Sequence, residues 1–278
     1  MINQFKTIVL LGLLTALLLW VGNLLGGYSG LVIAGIFAVV LNFGSYWFSD
    51  KIVLMMYRAK EVTDKNHQLY KIVNEVAKLA NIPMPKVYII PTDASNAFAT
   101  GRSPKHAAVA ATQGILGLLN NEELKGVIAH EVAHVKNRDI LISTIAGTIA
   151  GVISYIAPMA QFAAIFGGRD RENSNALSLI LLAVITPLIA MLIQLAISRS
   201  REYMADATGA GILRNGKGLS SALEKLENDA RKHPMRLGNQ ATAHLFITNP
   251  FKGQTFMALL STHPPMNERI RRLNAIKF

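Results

Sequence analysis

The chain has 278 residues, of which 51% are hydrophobic and only 16% are charged. Because soluble domains usually contain about 25% charged residues, this composition argues against an ordinary soluble protein. The formal net charge is +11, but no basic stripe alternates with aromatic residues and no nucleic-acid motif is present, so we expect no nucleic-acid partner. The absence of cysteine excludes disulfides and leaves His, Asp and Glu as the metal-binding side chains.

Four segments of the chain contain no charged residue. A helix needs about 20 apolar residues to cross a bilayer, and segments of this length without a charge are rare in soluble cores. We therefore predict four transmembrane helices in two hairpins, with membrane lipids as partners. For the last two segments, which contain Pro158 and Pro187, two buried helices of a soluble domain are the alternative. The four segments are residues 7–25, 31–48, 140–166 and 176–197.

The distribution of lysine and arginine predicts the orientation in the membrane. Positive residues close to spans remain in the cytoplasm. The short connectors 26–30 and 167–175 contain two arginines balanced by two acidic residues, and all other lysines and arginines lie on the opposite side. Both termini and both polar segments are therefore expected to face the cytoplasm. The chain is thereby divided into two transmembrane hairpins, residues 1–48 and 140–197. Each hairpin is followed by one part of the cytoplasmic domain, residues 49–139 and residues 198–278.

Periodicity within the polar segments predicts a small sheet and several helices. Residues 86–90 and 106–112 indicate strands, and residues 95–100 between them indicate a third, edge strand. Helix caps are expected at Asp64 and at Asn120 or Asn121. The predicted fold class is a mainly α membrane protein, with four transmembrane helices and a cytoplasmic α+β domain that contains a small β-sheet. The predicted helices of this domain cover residues 64–81, 121–139, 218–232 and 265–276.

The sequence His130-Glu131-Val132-Ala133-His134 falls within one of these predicted helices. Residues four positions apart lie on one face of a helix, so both imidazoles can reach one metal ion. Glu131 lies beside them and can act as a general base on a water whose pKa a zinc ion lowers to about 7. The pattern therefore predicts a zinc peptidase site, and a chance match is the alternative.

A catalytic zinc usually has three protein ligands, and Glu202 is the candidate for the third. Glu202 lies a few residues after the end of the fourth apolar segment, and His134 lies a similar number of residues before the start of the third. If these two segments form a hairpin, both residues leave the membrane on the same side and at similar depth, so Glu202 and His134 can meet. Asp206, one helical turn later, is suited to accept a hydrogen bond from a ligand histidine. Asp139 either orients the active-site helix or ends it. A solvated charged helix end is the alternative interpretation of Glu202.

These residues together resemble a known family. HEVAH, the later SRSREYMAD, the STHPP near the C-terminus and the paired N-terminal apolar segments are similar to the HtpX family of bacterial membrane zinc metalloproteases, which is related to the CAAX prenyl proteases. The resemblance implies a gluzincin-like site with His130, His134 and Glu202 on one Zn²⁺ and Glu131 as the catalytic base. It also implies a multi-pass endopeptidase of the bacterial inner membrane that degrades damaged or misfolded membrane proteins in quality control.

The resemblance assigns roles to two further regions. His263 is similar to a family histidine that stabilises the oxyanion, although it could instead cap the final helix. Asn96, Ala97, Phe98 and Ala99 resemble the family's edge strand, where an extended substrate binds by strand addition. A loop with one buried phenylalanine is the alternative there. We interpret four other histidines as surface or core residues: His67, His106, His233 and His244. Three arginines are expected to form a charged helix face or to contact lipid phosphates: Arg269, Arg271 and Arg272.

Three other functions compete with a protease. A catalytically idle scaffold that binds misfolded clients would have no use for a base between two metal ligands. A transporter would carry ionisable groups within its spans, and the four apolar segments have none. A different metallohydrolase, such as an exopeptidase or a prenyl-protein protease, is closer, but the prenyl proteases surround their substrate with more spans.

Overall fold

The computed structural model describes residues 2–146, 149, 199–233, 245–248 and 264–278. Residues 140–146 are helical, so the beginning of the third apolar segment is described. Apart from residue 149, the rest of that segment lies outside the described residues, as do the fourth segment and His263.

Helix α1 (Ile2–Met56) is a hairpin of two apolar helical arms. The helical backbone is interrupted at Gly26 and Gly27, and Gly27 has a φ of 54° and a ψ of −137°, a conformation that glycine adopts easily. The arms contact each other, since Asn42 Nδ2 donates a hydrogen bond to Thr15 Oγ1 at 2.8 Å. Among the described residues, the second arm is the one helix that is long and apolar enough to cross a membrane; the first arm contains a shorter apolar helix. Their ranges are Gly26–Met56 and Leu11–Leu24.

A four-stranded mixed sheet follows the hairpin. It consists of β1 (Lys60–Glu61), β2 (Lys86–Ile90), β3 (Ala97–Ser103) and β4 (His106–Thr112) in the order β1-β2-β4-β3. β2 and β4 are parallel, and the two outer pairs are antiparallel. The strands predicted at 86–90 and 106–112 are confirmed. β3 is an edge strand, as predicted, but it begins two residues later than expected. β1 was not predicted, because two residues are too few to show a periodicity.

Besides the helical residues 140–146, six further helices are described. Helix α2 starts later than predicted, because His67 rather than Asp64 is its N-cap: His67 Nδ1 accepts a hydrogen bond from the N–H of Leu69. The carboxylate of Asp64 instead accepts from the N–H of Asn66 in the preceding turn. The six helices are α2 (Gln68–Ala80), α3 (Gln113–Leu118), α4 (Asn121–Lys136), α5 (Arg199–Leu213), α6 (Lys217–Lys232) and α7 (Met266–Ala275).

Helix α4 has well-defined ends. Asn120 is its N-cap and forms a capping box with Glu123, in which each side chain accepts a hydrogen bond from the other residue's N–H. The helix ends at Lys136, three residues before the predicted end, because Arg138 adopts a left-handed conformation with a φ of 59°.

Helix α4 lies at the centre of the domain. It contacts α2 and β3 from the first polar segment and α5 and α6 from the second. Val127 and Ile128 of α4 share one hydrophobic core with Leu219 and Leu223 of α6. A side chain at Gly126 would collide with the backbone of Leu219, so glycine permits the close packing of these two helices. The two polar segments, far apart in sequence, therefore enclose α4 together.

Candidate metal centre and active site

Helix α4 places His130 and His134 on one face. Their Nε2 atoms are 3.1 Å apart, and their rings are perpendicular with centroids 4.7 Å apart. His130 is 1% exposed and Glu131 is 3% exposed, because apolar neighbours on α4 pack into the core on several sides. The helix is therefore a rigid support for both imidazoles, as the spacing predicts.

Helix α5 brings Glu202 to the two histidines. Gly209 of α5 lies against the backbone of Ala129 and His130, where a Cβ atom would be only 3.0 Å from their backbone atoms. This contact brings the two helix axes close together. Glu202 Oε2 lies 3.6 Å from His130 Nε2, and Glu202 Oε1 lies 3.6 Å from His134 Nε2. The structure thus brings together the three residues that were predicted as ligands.

The three side chains fit one tetrahedral divalent ion. Nitrogen and oxygen ligands lie about 2.0–2.2 Å from zinc, so two tetrahedral ligand atoms are roughly 3.3–3.6 Å apart. The observed separations of 3.1 and 3.6 Å are close to this range. All three donor atoms lie within 4.8 Å of one another. His130, His134 and Glu202 would hold the ion and leave its fourth position for a water or a substrate oxygen.

A carboxylate lies behind each histidine. Asp206 Oδ1 is 2.9 Å from His130 Nδ1, and both oxygens of Asp139 are 3.1 Å from His134 Nδ1. When Nε2 binds a metal, Nδ1 carries the ring proton and donates it to the carboxylate, which fixes the ring orientation. Asp139 lies beyond the end of α4, and its contact with Nδ1 orients the ring of His134.

The carboxylates also govern protonation in the absence of metal. Burial by itself lowers the pKa of His134, but the charge and hydrogen bond of Asp139, with Glu202 and Glu131 nearby, raise it to about 10. Burial would likewise raise the pKa of Asp206, yet Arg269 and His130 hold it at about 2. Asp206 is therefore a permanent anion, suited to accept a hydrogen bond from a ligand histidine.

Arg269 is a site residue that sequence reasoning missed. It was expected on a charged helix face, but it is fully buried, and it donates to Asp206 from Nε at 2.9 Å and from Nη2 at 2.7 Å. A signal was present: Arg269 lies three residues after Met266 and four before Leu273, which places it on the apolar face of α7. Arg271 and Arg272 do form the predicted exposed charged face, where they pair with Glu268.

Glu131 faces the cleft formed by the three ligands. Its carboxylate accepts a hydrogen bond from the N–H of Ala99 on β3. Burial raises the pKa of Glu131, and the charge of Glu202 adds to this, while the two histidines oppose it. A carboxylate with a raised pKa is suited to take a proton from water and to release it again. The cleft is lined by Ala99, His130, Glu131, His134, Ile140, Ser143, Glu202, Leu245, Phe246 and Ile247.

The predicted substrate-binding residues lie at the edge of the sheet beside this cleft. Residues 245–248 lie against that edge: the N–H of Ile247 donates to the carbonyl of Ala97 at 3.2 Å. Asn96 anchors the same segment, because its Nδ2 donates to the carbonyl of Thr248 at 2.8 Å. The four residues, all buried, are Asn96, Ala97, Phe98 and Ala99.

Comparison with known proteins places this site in a family. The family model described as peptidase family M48 matches residues 63–277, which include every described site residue. A protein named protease HtpX homolog from Desulforapulum autotrophicum is 56% identical over 98% of this chain and 89% of its own length. Another of the same name, from Pyrococcus furiosus, is 51% identical over 98% of this chain and 95% of its own length.

The fold is also similar to a solved structure, the crystal structure of S. mikatae Ste24p. The TM-score is 0.53 at 17% sequence identity, and the match covers 98% of this chain and 65% of Ste24p. The likeness concerns the fold alone, and this chain spans about two thirds of the longer protein. The family match, together with two histidines, a glutamate and a neighbouring carboxyl group in one cleft, leads to one conclusion: this chain belongs to peptidase family M48 and is a metalloprotease.

Proposed function

We propose that the chain is a zinc-dependent endopeptidase of a bacterial inner membrane, with a cytoplasmic active site that acts on unfolded or damaged membrane proteins. The observation that carries this proposal is the arrangement of His130, His134 and Glu202 within 4.8 Å of one another, in one cleft with Glu131. Two nitrogens and one carboxylate are the ligand set typical of catalytic zinc.

The residues of the cleft have different roles in peptide hydrolysis. A zinc ion held by the three ligands would polarise the peptide carbonyl and make a water molecule more acidic. Glu131 takes the proton from that water and delivers it to the nitrogen of the leaving amine. The N–H of Ala99 keeps the Glu131 carboxylate oriented, and Asp206 and Asp139 keep the ligand rings oriented. His263 is proposed to stabilise the oxyanion.

The edge of β3 is the proposed binding place of an extended substrate. Strand addition needs outward-facing backbone groups at the edge of a sheet. The carbonyl of Ala97 accepts a hydrogen bond from Ile247, which is outside the sheet, so the backbone of this edge pairs with residues 245–248, whose place a substrate would take. Backbone pairing does not depend on side-chain identity, which is consistent with unfolded proteins of varied sequence as substrates.

The surface of α1 supports a position in the membrane. Large apolar side chains are exposed along its second arm, which a helix in the core of a soluble protein would bury. Lysine and arginine follow this arm, which supports a cytoplasmic location of the domain under the positive-inside rule. The exposed side chains, each more than 60% exposed, include Ile33, Ile36, Val39, Val40 and Phe43.

The test compares the parent chain with Glu131→Gln in detergent, using an unfolded protein as substrate. We expect Glu131→Gln to retain zinc and to lose roughly 10²–10⁴-fold in cleavage rate, because the general base is removed and the ligands remain. Glu122→Gln is the control, since Glu122 lies on the same helix with a side chain 69% exposed. A chelator should abolish the activity of the parent, and added zinc should restore it. Equal rates for Glu131→Gln and the parent would refute the mechanism.

The orientation can be tested separately because the chain has no cysteine. Lys65→Cys places one thiol in the exposed turn before α2, and Tyr28→Cys places one at the hairpin turn, where Tyr28 is 82% exposed. In intact cells, a membrane-impermeant thiol reagent should label the cysteine at position 28 and not the one at position 65. The reverse labelling would contradict a cytoplasmic active site.

A further inference from the structure

A second cleft, of about 680 Å³, lies on the side of the sheet where the second arm of α1 ends. This volume is in the range of small-molecule binding sites. One wall is aromatic and apolar, and the other is formed by polar residues of β2, of the β3–β4 hairpin and of the end of α1. The lining residues on which the argument depends are Phe43, Trp47, Lys51, Lys86, Arg102 and Lys105.

The polar wall is strongly cationic. It contains four lysine or arginine side chains and one carboxylate, that of Asp50. Lys86 is paired with Glu61 at 3.3 Å, outside the cleft. Within the described part of the chain, no ion pair joins Lys51, Arg102 or Lys105 to a carboxylate. The cleft therefore presents an excess of positive charge to whatever enters it.

The aromatic wall continues the apolar surface of α1. Phe43 and Trp47 are four residues apart on one helix face and are 62% and 43% exposed. The guanidinium of Arg102 lies over the Trp47 ring at 4.5 Å, so the cationic wall and the aromatic wall meet at this pair. A ligand that fits must combine an anionic group with an apolar part.

The length of α1 places the cleft at the level of lipid head groups. The second arm has 31 residues, or about 46 Å of helix, whereas the hydrocarbon core of a bilayer is about 30 Å thick. Because residues 26–30 form the turn on the opposite side, about 20 residues from Leu31 cross the hydrocarbon, so the arm leaves it near Asp50, one turn beyond Trp47. Tryptophan is enriched at this interface, and basic pockets on the cytoplasmic side attract anionic lipids.

We propose that this cleft binds one anionic phospholipid. Its phosphate is held by Lys51, Arg102 and Lys105, and the upper part of its acyl chains lies along Phe43 and Trp47. A lipid is favoured over a soluble phosphate because the aromatic wall is continuous with the exposed apolar surface of the arm. The inference rests on the proposed position and orientation in the membrane, and it is independent of the metal site and of the proposed protease activity.

The test uses tryptophan fluorescence of the full chain in detergent. The chain has two tryptophans, so Trp20→Phe leaves Trp47 as the only reporter, inside the cleft. The protein is titrated with dihexanoyl phosphatidylglycerol and, in parallel, with dihexanoyl phosphatidylcholine. We expect the anionic lipid to bind at least about tenfold more tightly, and the difference to shrink as salt is added.

A pair of charge-matched variants locates the site. Lys51→Gln, Arg102→Gln and Lys105→Gln together should abolish the preference for the anionic lipid. Native mass spectrometry of the unsubstituted chain with an equimolar mixture of the two lipids gives a second measurement, which needs no variant; there the anionic adduct should dominate. The control variant loses the same three positive charges, but from exposed residues on α2 or just before it, and it should keep the preference for the anionic lipid. Its substitutions are Lys65→Gln, Lys71→Gln and Lys78→Gln.

Three results would overturn the proposal. Equal affinity for the two lipids would mean that the cationic wall does not recognise the head group. A preference that survives in the cleft variant would mean that it comes from the overall charge of the chain. If inorganic phosphate alone produces the same change in Trp47 fluorescence at the same concentration, the ligand is a soluble anion and not a lipid.

Discussion

Arg269 donates two hydrogen bonds to Asp206, from Nε to Oδ2 at 2.9 Å and from Nη2 to Oδ1 at 2.7 Å, although the residues are 63 positions apart. Asp206 also lies 2.9 Å from Nδ1 of His130. The remaining guanidinium nitrogen, Nη1, donates to the carbonyl of Ile247 at 3.1 Å. One buried arginine therefore joins the C-terminal helix to the segment beside the strand edge and, through Asp206, to the candidate metal ligand His130.

Arg269→Gln should destabilise the fold strongly. Removing one partner of a buried ion pair leaves the other charge uncompensated, which costs about 3–5 kcal/mol. Thermal unfolding in detergent measures the effect, with Arg272→Gln as the control on the same helix. Arg272 is exposed and pairs with Glu268, so its loss should cost at most about 1 kcal/mol. Similar losses of stability in the two variants would show that the buried pair of Arg269 and Asp206 stabilises the fold no more than an exposed ion pair does.

Asp139→Asn should weaken zinc binding while keeping the fold. The amide is uncharged and so is a weaker acceptor for the Nδ1 proton of His134. Loss of such a partner typically reduces metal affinity by about 10- to 100-fold. Competition with a chromophoric chelator gives the dissociation constant. An unchanged constant would mean that the ring of His134 is held by its packing alone.

Gly209→Ala should also lower zinc affinity, by a purely steric route. The added Cβ would be 3.0 Å from the backbone of Ala129 and His130, so α5 must move away from α4 and carry Glu202 with it. Gly211 is the matched control on the same helix, because nothing lies within 4 Å of a Cβ there. Gly211→Ala should leave zinc binding unchanged and stabilise the helix by up to about 1 kcal/mol. Equal zinc affinity in both variants would count against Gly209 as the determinant of the spacing between α4 and α5.

The environment of Glu123, which lies outside the metal site, should make the stability of the fold depend on pH. Burial by itself would raise its pKa, but hydrogen bonds from Lys225, from Ser221 and from the N–H of Asn120 outweigh this and lower the pKa below its ordinary value of 4.5. A carboxyl group whose folded pKa is lowered stabilises the fold above its unfolded pKa. That stabilisation disappears as the pH falls through the folded pKa.

Glu123→Gln should therefore lower stability at neutral pH and have little effect in acid. The expected loss at pH 7 is about 1–3 kcal/mol, the usual contribution of hydrogen bonds to a charged group. Unfolding measured between pH 7 and pH 3 should show the parent and the variant converging below about pH 4.5. Glu122→Gln, with its exposed side chain, should show no such convergence. A constant difference at all pH values would rule out the charge of Glu123 as its cause.

Local features of the fold were predictable from the sequence. The strands at 86–90 and 106–112 and the helix around the HExxH motif follow from periodicity and capping within a few neighbouring residues. The wrong prediction of the start of α2 has an equally local cause. Aspartate is a common capping residue, but the carboxylate of Asp64 accepts a hydrogen bond in the turn before the helix, and His67 caps α2 instead.

The position of Glu202 depended on an argument about topology. The prediction required α5 to reach the histidines, and the structure places it there. Sequence spacing could not specify how closely the two helices approach, because that depends on Gly209 meeting the backbone of His130 across 79 positions. Arg269 was misassigned because a charged residue near the C-terminus is usually exposed.

The sequence by itself determined which chemical groups the chain carries and which of them share a helix face: two histidines and a glutamate on α4, a second glutamate and an aspartate on α5, and an apolar hairpin at the N-terminus. Only the tertiary structure decided which distant groups meet. In the folded chain Arg269 pairs with Asp206, residues 245–248 lie along the edge of β3, and a cationic cleft lies beside Trp47. Helical and strand periodicity reflects neighbours a few residues apart, whereas these contacts depend on how whole elements pack, and packing is a property of the complete core.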